Sequence, residues 1–260
     1  MPVIADTAYP RLPAELGPAE LEAFTPEPVE LAFARQKTRH PGPRLALLVL
    51  LKAFQRLGRL VRLADIPAAA VGHVAACADL ADAVPEVAGY GDSTYRVRLS
   101  ALVRGFVGVS AYDREARWIA ARGCIEAART RDDLADVVNA GIEELVRQRR
   151  ELPAFGALLK LARTARALVN RGHHRRIAAA LPLEARERLA ALLVVPAGET
   201  RSAWDKVKSD PPRPSPQRVR EHLAHLAWLR ERAPSAAAFA GVPDQKLRQF
   251  AAEARSLGAA

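Results

Sequence analysis

Hydrophobic residues recur along most of the chain at the three- and four-residue spacing of amphipathic helices. This spacing predicts a buried helix over residues 43–57, which Gly58 ends, and another helix that Pro67 opens. A further helix is predicted from a cap within residues 92–94 to Phe106. The basic side chains on its outer side are Arg96, Arg98 and Arg104. This order of helix, loop and basic helix is the outline of a helix-turn-helix.

The strongest helical pattern follows residue 130. Thr130-Arg-Asp-Asp133 has the form of a capping box and predicts that a helix begins there. Its inward residues are Leu134, Val137, Val138, Gly141, Ile142, Leu145 and Val146. The preceding segment begins at Asp113 and places Trp118, Ile119 and Ile125 on one side.

The helix predicted over residues 155–171 has one apolar and one basic face. The apolar face carries Leu158, Leu161, Ala162, Ala165, Leu168 and Val169. The basic face carries Lys160, Arg163, Thr164, Asn170 and Arg171. Asn and Thr can donate to phosphates or base edges, so this combination with basic groups is typical of a DNA-contacting helix. Arg175 and Arg176 extend the basic surface.

Three more helices are predicted over residues 183–194, 216–232 and 243–257, with a stiff proline-rich linker at 196–217. No alternating strand pattern is present, so the predicted fold class is all-α. The predicted domains are residues 1–128, an N-terminal helical DNA-binding domain; 129–210, a second, basic DNA-binding domain; and 211–260, the proline-rich linker and C-terminal helices.

The positive charge of the chain is concentrated in one stretch. Of a net charge of +10, residues 145–220 hold seventeen Lys or Arg against six Asp or Glu, and the remainder holds twenty-two against twenty-three. An excess confined to one stretch favours a polyanion-binding surface, with nucleic acid as the leading ligand. The alternative is a coding bias that scatters arginine over solvated helix faces, but such a bias would not by itself leave the remainder neutral.

Composition excludes several classes of protein. The chain is 50% hydrophobic and 26% charged, which suits a folded core rather than disorder. Its longest apolar run, residues 45–51, is shorter than a membrane span, and its first residues lack the pattern of a signal peptide, so we expect a cytoplasmic protein. Cys77 and Cys124 have no metal or redox spacing and are predicted to be core thiols.

Catalytic signals are weak. The phosphate-binding GxxxxGK[ST] loop, the GxGxxG turn, the GxSxG elbow and HExxH are absent from the sequence. His222 and His225 lack further metal ligands nearby, and His173-His174 is assigned to the basic surface. The acidic trio Asp132, Asp133 and Asp136 is interpreted as capping a helix N-terminus, where the macrodipole favours negative charge. We therefore expect no catalytic residue, cofactor or metal in this chain.

A series of segments resembles the N-terminal region of transposases of the Tn-three family. The segments occur in order between about residues 35 and 258: YGDS (90–93), TRDDLADVVNAGIEELV (130–146), ELPAF (151–155), LAR (161–163), VNR (169–171), SAWDKVK (202–208), PPRPS (211–215), REHL (220–223) and FAAEAR (250–255). The resemblance implies that the chain forms two helical domains which, as in that family, read the terminal inverted repeats of the transposon. The catalytic domain of the family lies several hundred residues further on, so strand transfer would take place elsewhere.

From the resemblance and the charge we expect sequence-specific binding of double-stranded inverted-repeat DNA on the bacterial nucleoid, without contact to a membrane. The predicted base readers are Lys160, Arg163, Arg166 and Asn170, with Arg96 and Arg98 as the lesser alternative. The predicted remaining DNA contacts are Arg171, Arg175, Arg176, Lys206, Lys208 and Arg213, of which the last three are expected to touch phosphates only. Self-association through a C-terminal region that the chain lacks stays open.

Two other functions remain open on the sequence. A free-standing regulator that occupies transposon ends without cutting them would have the same sequence. A helical adaptor whose basic face binds an acidic protein would bind DNA weakly and without sequence preference.

Overall fold

The computed structural model describes residues 3–13, 15–90, 94–208 and 215–256. Over these ranges the chain is all-α, as predicted, with thirteen α-helices and no sheet. Contacts divide the chain into two compact units. Unit 1 comprises residues 1–125 and 133–163, and unit 2 comprises residues 126–132 and 164–260.

Unit 1 is built around a central buried helix. Its helices are α1 (Pro18–Glu22), α2 (Pro28–Lys37), α3 (Pro41–Leu57), α4 (Ala68–Cys77), α5 (Val84–Val87), α6 (Thr94–Val107), most of α7 (Arg114–Ala128), α8 (Leu134–Arg147) and the start of α9 (Phe155–Ala180). The helix α3 packs against α2, α4, α5 and α6, and its leucines from Leu45 to Leu51 are fully or almost fully buried. Gly58 ends α3 in the left-handed conformation, as predicted.

The helix α8 begins differently from the prediction. Its N-cap is Asp133, whose carboxylate accepts from the backbone N–H of Ala135 at 2.8 Å. Thr130 lies in the turn after α7, where its hydroxyl donates to the carbonyl of Ala127. The capping box predicted at Thr130 is therefore wrong, because the turn that follows α7 occupies the residues predicted to start α8.

The inward face of α7 also differs from the prediction. Its buried residues are small: Ala116, Ala120 and Cys124. A Cβ on Gly123 would lie 2.9 Å from the carbonyl oxygen of Ala140, so α7 and α8 approach too closely for a large inward residue. Trp118 is consequently on the outside, with 66% of its surface exposed. The inward placements predicted for Val146 and Leu168 are wrong as well, since both side chains are exposed.

The two cysteines have different environments. Cys124 is a buried thiol, as predicted, and burial raises its pKa to about 11. Cys77 is exposed, and its Sγ lies 3.7 Å from Nε2 of His73. The prediction of a core thiol is wrong for Cys77, because the buried face of α4 is formed by Ala70, Val71, Val74 and Ala75.

Unit 2 contains the end of α9 and four further helices: α10 (Leu183–Ala191), α11 (Ala203–Lys208), α12 (Pro216–Arg232) and α13 (Asp244–Ser256). The helix α9 continues nine residues beyond the predicted end, and α11 lies inside the predicted linker. Residues 209–214 of that linker lie outside the described residues. The apolar residues buried in this unit are mostly alanines: Ala128, Ala165, Ala185, Ala238, Leu192 and Val242. Its buried polar residues are Asp132, His173, Ser202 and Lys246.

The contact division does not follow the domain bounds predicted from sequence. The helix α8 and the start of α9 belong to unit 1, whereas the prediction grouped them with residues up to 210. The division into DNA-binding domains at residues 1–128 and 129–210 stays a prediction. Among the described helices, none combines the length and the apolar character that crossing a membrane requires.

Candidate nucleic-acid interface

Unit 2 carries most of the net positive charge. It holds nineteen Lys or Arg against eleven Asp or Glu, whereas unit 1 holds twenty against eighteen. The excess is therefore +8 in unit 2 and +2 in unit 1. A cationic surface able to attract a polyanion is thus concentrated in the smaller unit.

The end of α9 presents part of this charge to solvent. Arg171 and Arg175 lie four residues apart, on one face of the helix, and both are exposed. Neither has an ion pair or side-chain hydrogen bond within the described residues. Arg176 is also exposed, and its Nη1 donates to the carbonyl of Gly241 at 2.9 Å. Arg171 and Arg175 are therefore placed to receive phosphate oxygens.

Two of the predicted base readers, Arg166 and Asn170, are bound to the buried Asp132. Asn170 donates from Nδ2 to Oδ1 of Asp132 at 3.0 Å. Arg166 donates to the backbone carbonyl of Asp132 at 3.1 Å, and the same guanidinium nitrogen is 3.5 Å from Oδ2 of that residue. Arg166 and Asn170 therefore hold the buried Asp132, and their role as base readers stays a prediction.

Asp132 lies at the centre of a buried polar cluster, which we define as Asp132, Arg166, Asn170, His173 and Lys246. Burial acts to raise the pKa of Asp132, but hydrogen bonds from Lys246 and Asn170 and the charges of Lys246 and Arg166 outweigh it and lower the pKa. Asp132 is therefore an ionised partner at neutral pH. Its interpretation as a capping residue is wrong, whereas that of Asp133 is confirmed.

Lys246 is fully buried and completes the cluster from α13. Its Nζ donates to Oδ1 of Asp132 and, at 2.9 Å, to Oδ1 of Asn170. Sequence reasoning missed this residue. The sequence does place Lys246 four residues before Phe250 and eight before Ala254, on one face of the helix, and the structure turns this face inward.

His173 is buried, and neither of its ring nitrogens has a hydrogen-bond partner. Desolvation, followed by the charges of Arg176 and Lys246, lowers its pKa, so the neutral ring is favoured. The assignment of His173 to the basic surface is therefore wrong. His174 is exposed, and its ring centroid lies 4.7 Å from that of Phe250.

The other predicted contacts lie on separate elements. Lys160 is exposed and Arg163 is half-buried, both on the part of α9 that belongs to unit 1, and both have interaction partners. Lys206 and Lys208 are in α11, while Arg213 lies outside the described residues.

On α6, Arg98 is exposed and its guanidinium lies over the ring of Tyr95 at 5.7 Å; Arg96 is half-buried. Arg104 instead pairs with Glu151 at 3.0 Å. Residues 91–93, which include two of the predicted caps, lie outside the described part of the chain, and the helix-turn-helix stays a prediction.

The described residues include no group of three or more His, Cys, Asp or Glu side chains arranged to hold a metal ion. The acidic cluster of the sequence is explained by Asp133 as N-cap and by Asp132 as the partner of Lys246. The surface chemistry of unit 2 is thus that of exposed guanidinium groups around a buried ion pair.

Comparison with protein families gives one match. Residues 4–165 match the family described as domain of unknown function DUF4158. A comparison with curated proteins finds no match. The family match spans more than half of the chain and includes all of unit 1 from residue 4 onward. The chain therefore belongs to the DUF4158 family.

Proposed function

We propose that this chain binds double-stranded DNA as the N-terminal region of a transposase of the Tn-three family and recognises the terminal inverted repeats of the element. The concentration of positive charge in unit 2, with Arg171 and Arg175 exposed on α9, carries this proposal. Domains of the DUF4158 family are often found in transposases of this family, which supports it independently. The proposal assigns DNA binding alone to these residues, and places the protein on the bacterial nucleoid.

The exposed arginines of α9 are proposed to bind the DNA backbone, while other side chains read the bases. Arg171, Arg175 and Arg176 would contact phosphates, since guanidinium groups pair well with phosphate oxygens. Base reading by Asn170 depends on its release from Asp132 and Lys246, and base reading by Arg166 depends on its release from Asp132. Lys160 and Arg163 stay proposed readers, with Arg96 and Arg98 of α6 as the alternative.

Selection from a library of random DNA duplexes tests the proposal and identifies the target in the same experiment. The full chain should enrich one sequence motif and should bind the enriched duplex more tightly than a shuffled duplex of the same composition. Specific sites typically exceed non-specific DNA by about a thousandfold or more in affinity. Equal binding of the enriched and shuffled duplexes would contradict the proposal.

A second candidate function is supported by the surface of α12. Val219, Leu223 and Leu226 are exposed at i, i+4 and i+7, and Arg220 and Arg230 are exposed on the same helix. An apolar stripe with basic residues beside it fits an amphipathic helix of an acidic protein partner. In that case the chain would be an adaptor, and Leu223→Asp would abolish binding of the partner while leaving DNA affinity unchanged.

A further inference from the structure

The helix α13 and Gly241, three residues before it, contact the side of α9 that is predicted to bind DNA. Lys246 donates to the side-chain oxygen of Asn170, and the side-chain nitrogen of Asn170 donates to Asp132. Both polar atoms of this amide are therefore hydrogen-bonded. Gly241 accepts from Arg176 at 2.9 Å. The ring of Phe250 lies 6.5 Å from that of His173 and 4.7 Å from that of His174. Asn170 therefore cannot make its bidentate contact with a DNA base while it keeps these intramolecular hydrogen bonds.

The docked position of α13 has large energetic costs. Its most deeply buried side chain is the charged Lys246, whereas Leu247 and Phe250 are only half-buried. Desolvation of a buried lysine and carboxylate offsets much of their attraction. In addition, Oδ2 of Asp132 and both nitrogens of His173 are buried without a hydrogen bond. A polyanion that offered Arg176 and Asn170 new partners would therefore compete with a contact of modest net stability.

We propose that α13 is an autoinhibitory strap, held on α9 by Lys246, and that DNA binding displaces it and frees Asn170 and Arg176 for the duplex. This inference rests on the proposed function, and adds to it a regulation of the same site. Lys246 acts on DNA only through Asp132 and Asn170, so it is a positioning residue. In the strapped state Arg171 and Arg175 remain exposed and can make the first phosphate contacts.

Amide hydrogen exchange on the full chain tests the displacement directly. The probe is the duplex that the chain enriches from a random library, added at saturating concentration. We expect the backbone amides of residues 244–256 to exchange faster in the complex than in the free chain. Unchanged or slower exchange of these amides in a chain that binds the duplex would overturn the strap and leave the proposed function intact. A chain that binds no duplex would overturn both.

A pair of variants separates the strap from a merely structural helix. Lys246→Met removes the buried ammonium group, and Arg248→Met removes one charge from an exposed position on the same helix. If docking holds the chain mostly in the strapped state, Lys246→Met should tighten binding of the enriched duplex by about tenfold or more. Arg248→Met should not tighten it. Weaker or equal binding by Lys246→Met would contradict the strap, and the exchange experiment decides the matter if this variant fails to fold.

Discussion

Units 1 and 2 are both helical, yet different interactions hold them together. Unit 1 encloses α3, whose leucines are buried among the side chains of α2, α4, α5 and α6. Unit 1 also buries the ion pair of Lys52 and Glu30, but beside a large apolar core. Unit 2 has a small apolar interior, so Asp132, His173 and Lys246 form a larger share of what it buries. The apolar unit is almost neutral and the polar unit carries the excess of +8. Hydrophobic burial is insensitive to pH and charge, so the two units should respond to different perturbations.

The largest effect is expected from Leu48→Ala in unit 1. Leu48 is fully buried in α3, so its truncation removes apolar burial and leaves a cavity, at a cost of about 4 kcal/mol in the free energy of unfolding. Chemical denaturation of the full chain measures this loss. Leu193→Ala, at an exposed position in unit 2, is the control and should change stability by less than about 0.5 kcal/mol. A loss below about 1 kcal/mol for Leu48→Ala would contradict an apolar unit 1.

Asp132→Ala should have the next largest effect, and in unit 2. It leaves Lys246 buried without its carboxylate, and breaking a buried pair in this way costs about 3 kcal/mol. Amide exchange should report the loss in residues 164–180 and 244–256, while α3 keeps its protection. Asp136→Ala is a matched control, because this neighbouring carboxylate has no partner in the cluster. Equal loss of protection in α3 would show that the two units are not energetically distinct.

Leu48 and Asp132 show how much of the fold the sequence predicts. Helical spacing predicts α3, α8, α12 and the all-α class, because each has an apolar stripe or clear terminal signals. Leu48 follows from this pattern. The role of Asp132 does not follow, because its partners Lys246 and Asn170 are distant in sequence, and only the folded chain brings them together.

The sequence predicts only part of the candidate site, because local helical spacing is visible in it and contacts between distant residues are not. The exposed position of Arg171 agrees with the helical face predicted for it, and Arg175, which the sequence only predicts to extend the basic surface, is exposed as well. The exposure of Trp118 was not predictable, because it depends on the close approach of α7 to α8 at Gly123. The extension of α9 beyond Arg171 had no apolar signal, since its last turns are mostly basic residues, histidines and alanines.

Acidification should affect unit 2 through His173. Its pKa is lowered in the folded chain, so the unfolded chain binds more protons at mildly acidic pH. The stability that depends on the neutral ring of His173 is fully present above the pKa of histidine in the unfolded chain, about 6.5. It is lost as the pH falls through the folded pKa, and the free energy of unfolding then changes by at most about 1.4 kcal/mol per pH unit. Amide exchange of α13 as a function of pH, corrected for the intrinsic rate, measures this slope. It should vanish in His173→Phe, and a slope that persists in that variant would contradict the assignment.

The smallest effect concerns the start of α8 in unit 1. Asp133→Ala removes the N-cap acceptor of Ala135 and should cost about 1 kcal/mol. Thr130→Ala removes only a hydroxyl in the preceding turn and should cost less than about 0.5 kcal/mol. Thermal denaturation of both variants checks the difference. A larger loss of stability for Thr130→Ala than for Asp133→Ala would identify Thr130 as the cap.

Salt dependence of duplex binding tests most directly the central claim that unit 2 holds DNA through its charge. With about six phosphate contacts, the logarithm of the binding constant should fall against the logarithm of salt concentration with a slope of about −5. Arg171→Gln combined with Arg175→Gln in unit 2 should flatten this slope by about two. The control pair Arg35→Gln and Arg117→Gln, at exposed positions in unit 1, should leave it unchanged. A flat salt response of the unmodified chain, or equal flattening by the two pairs, would contradict the account.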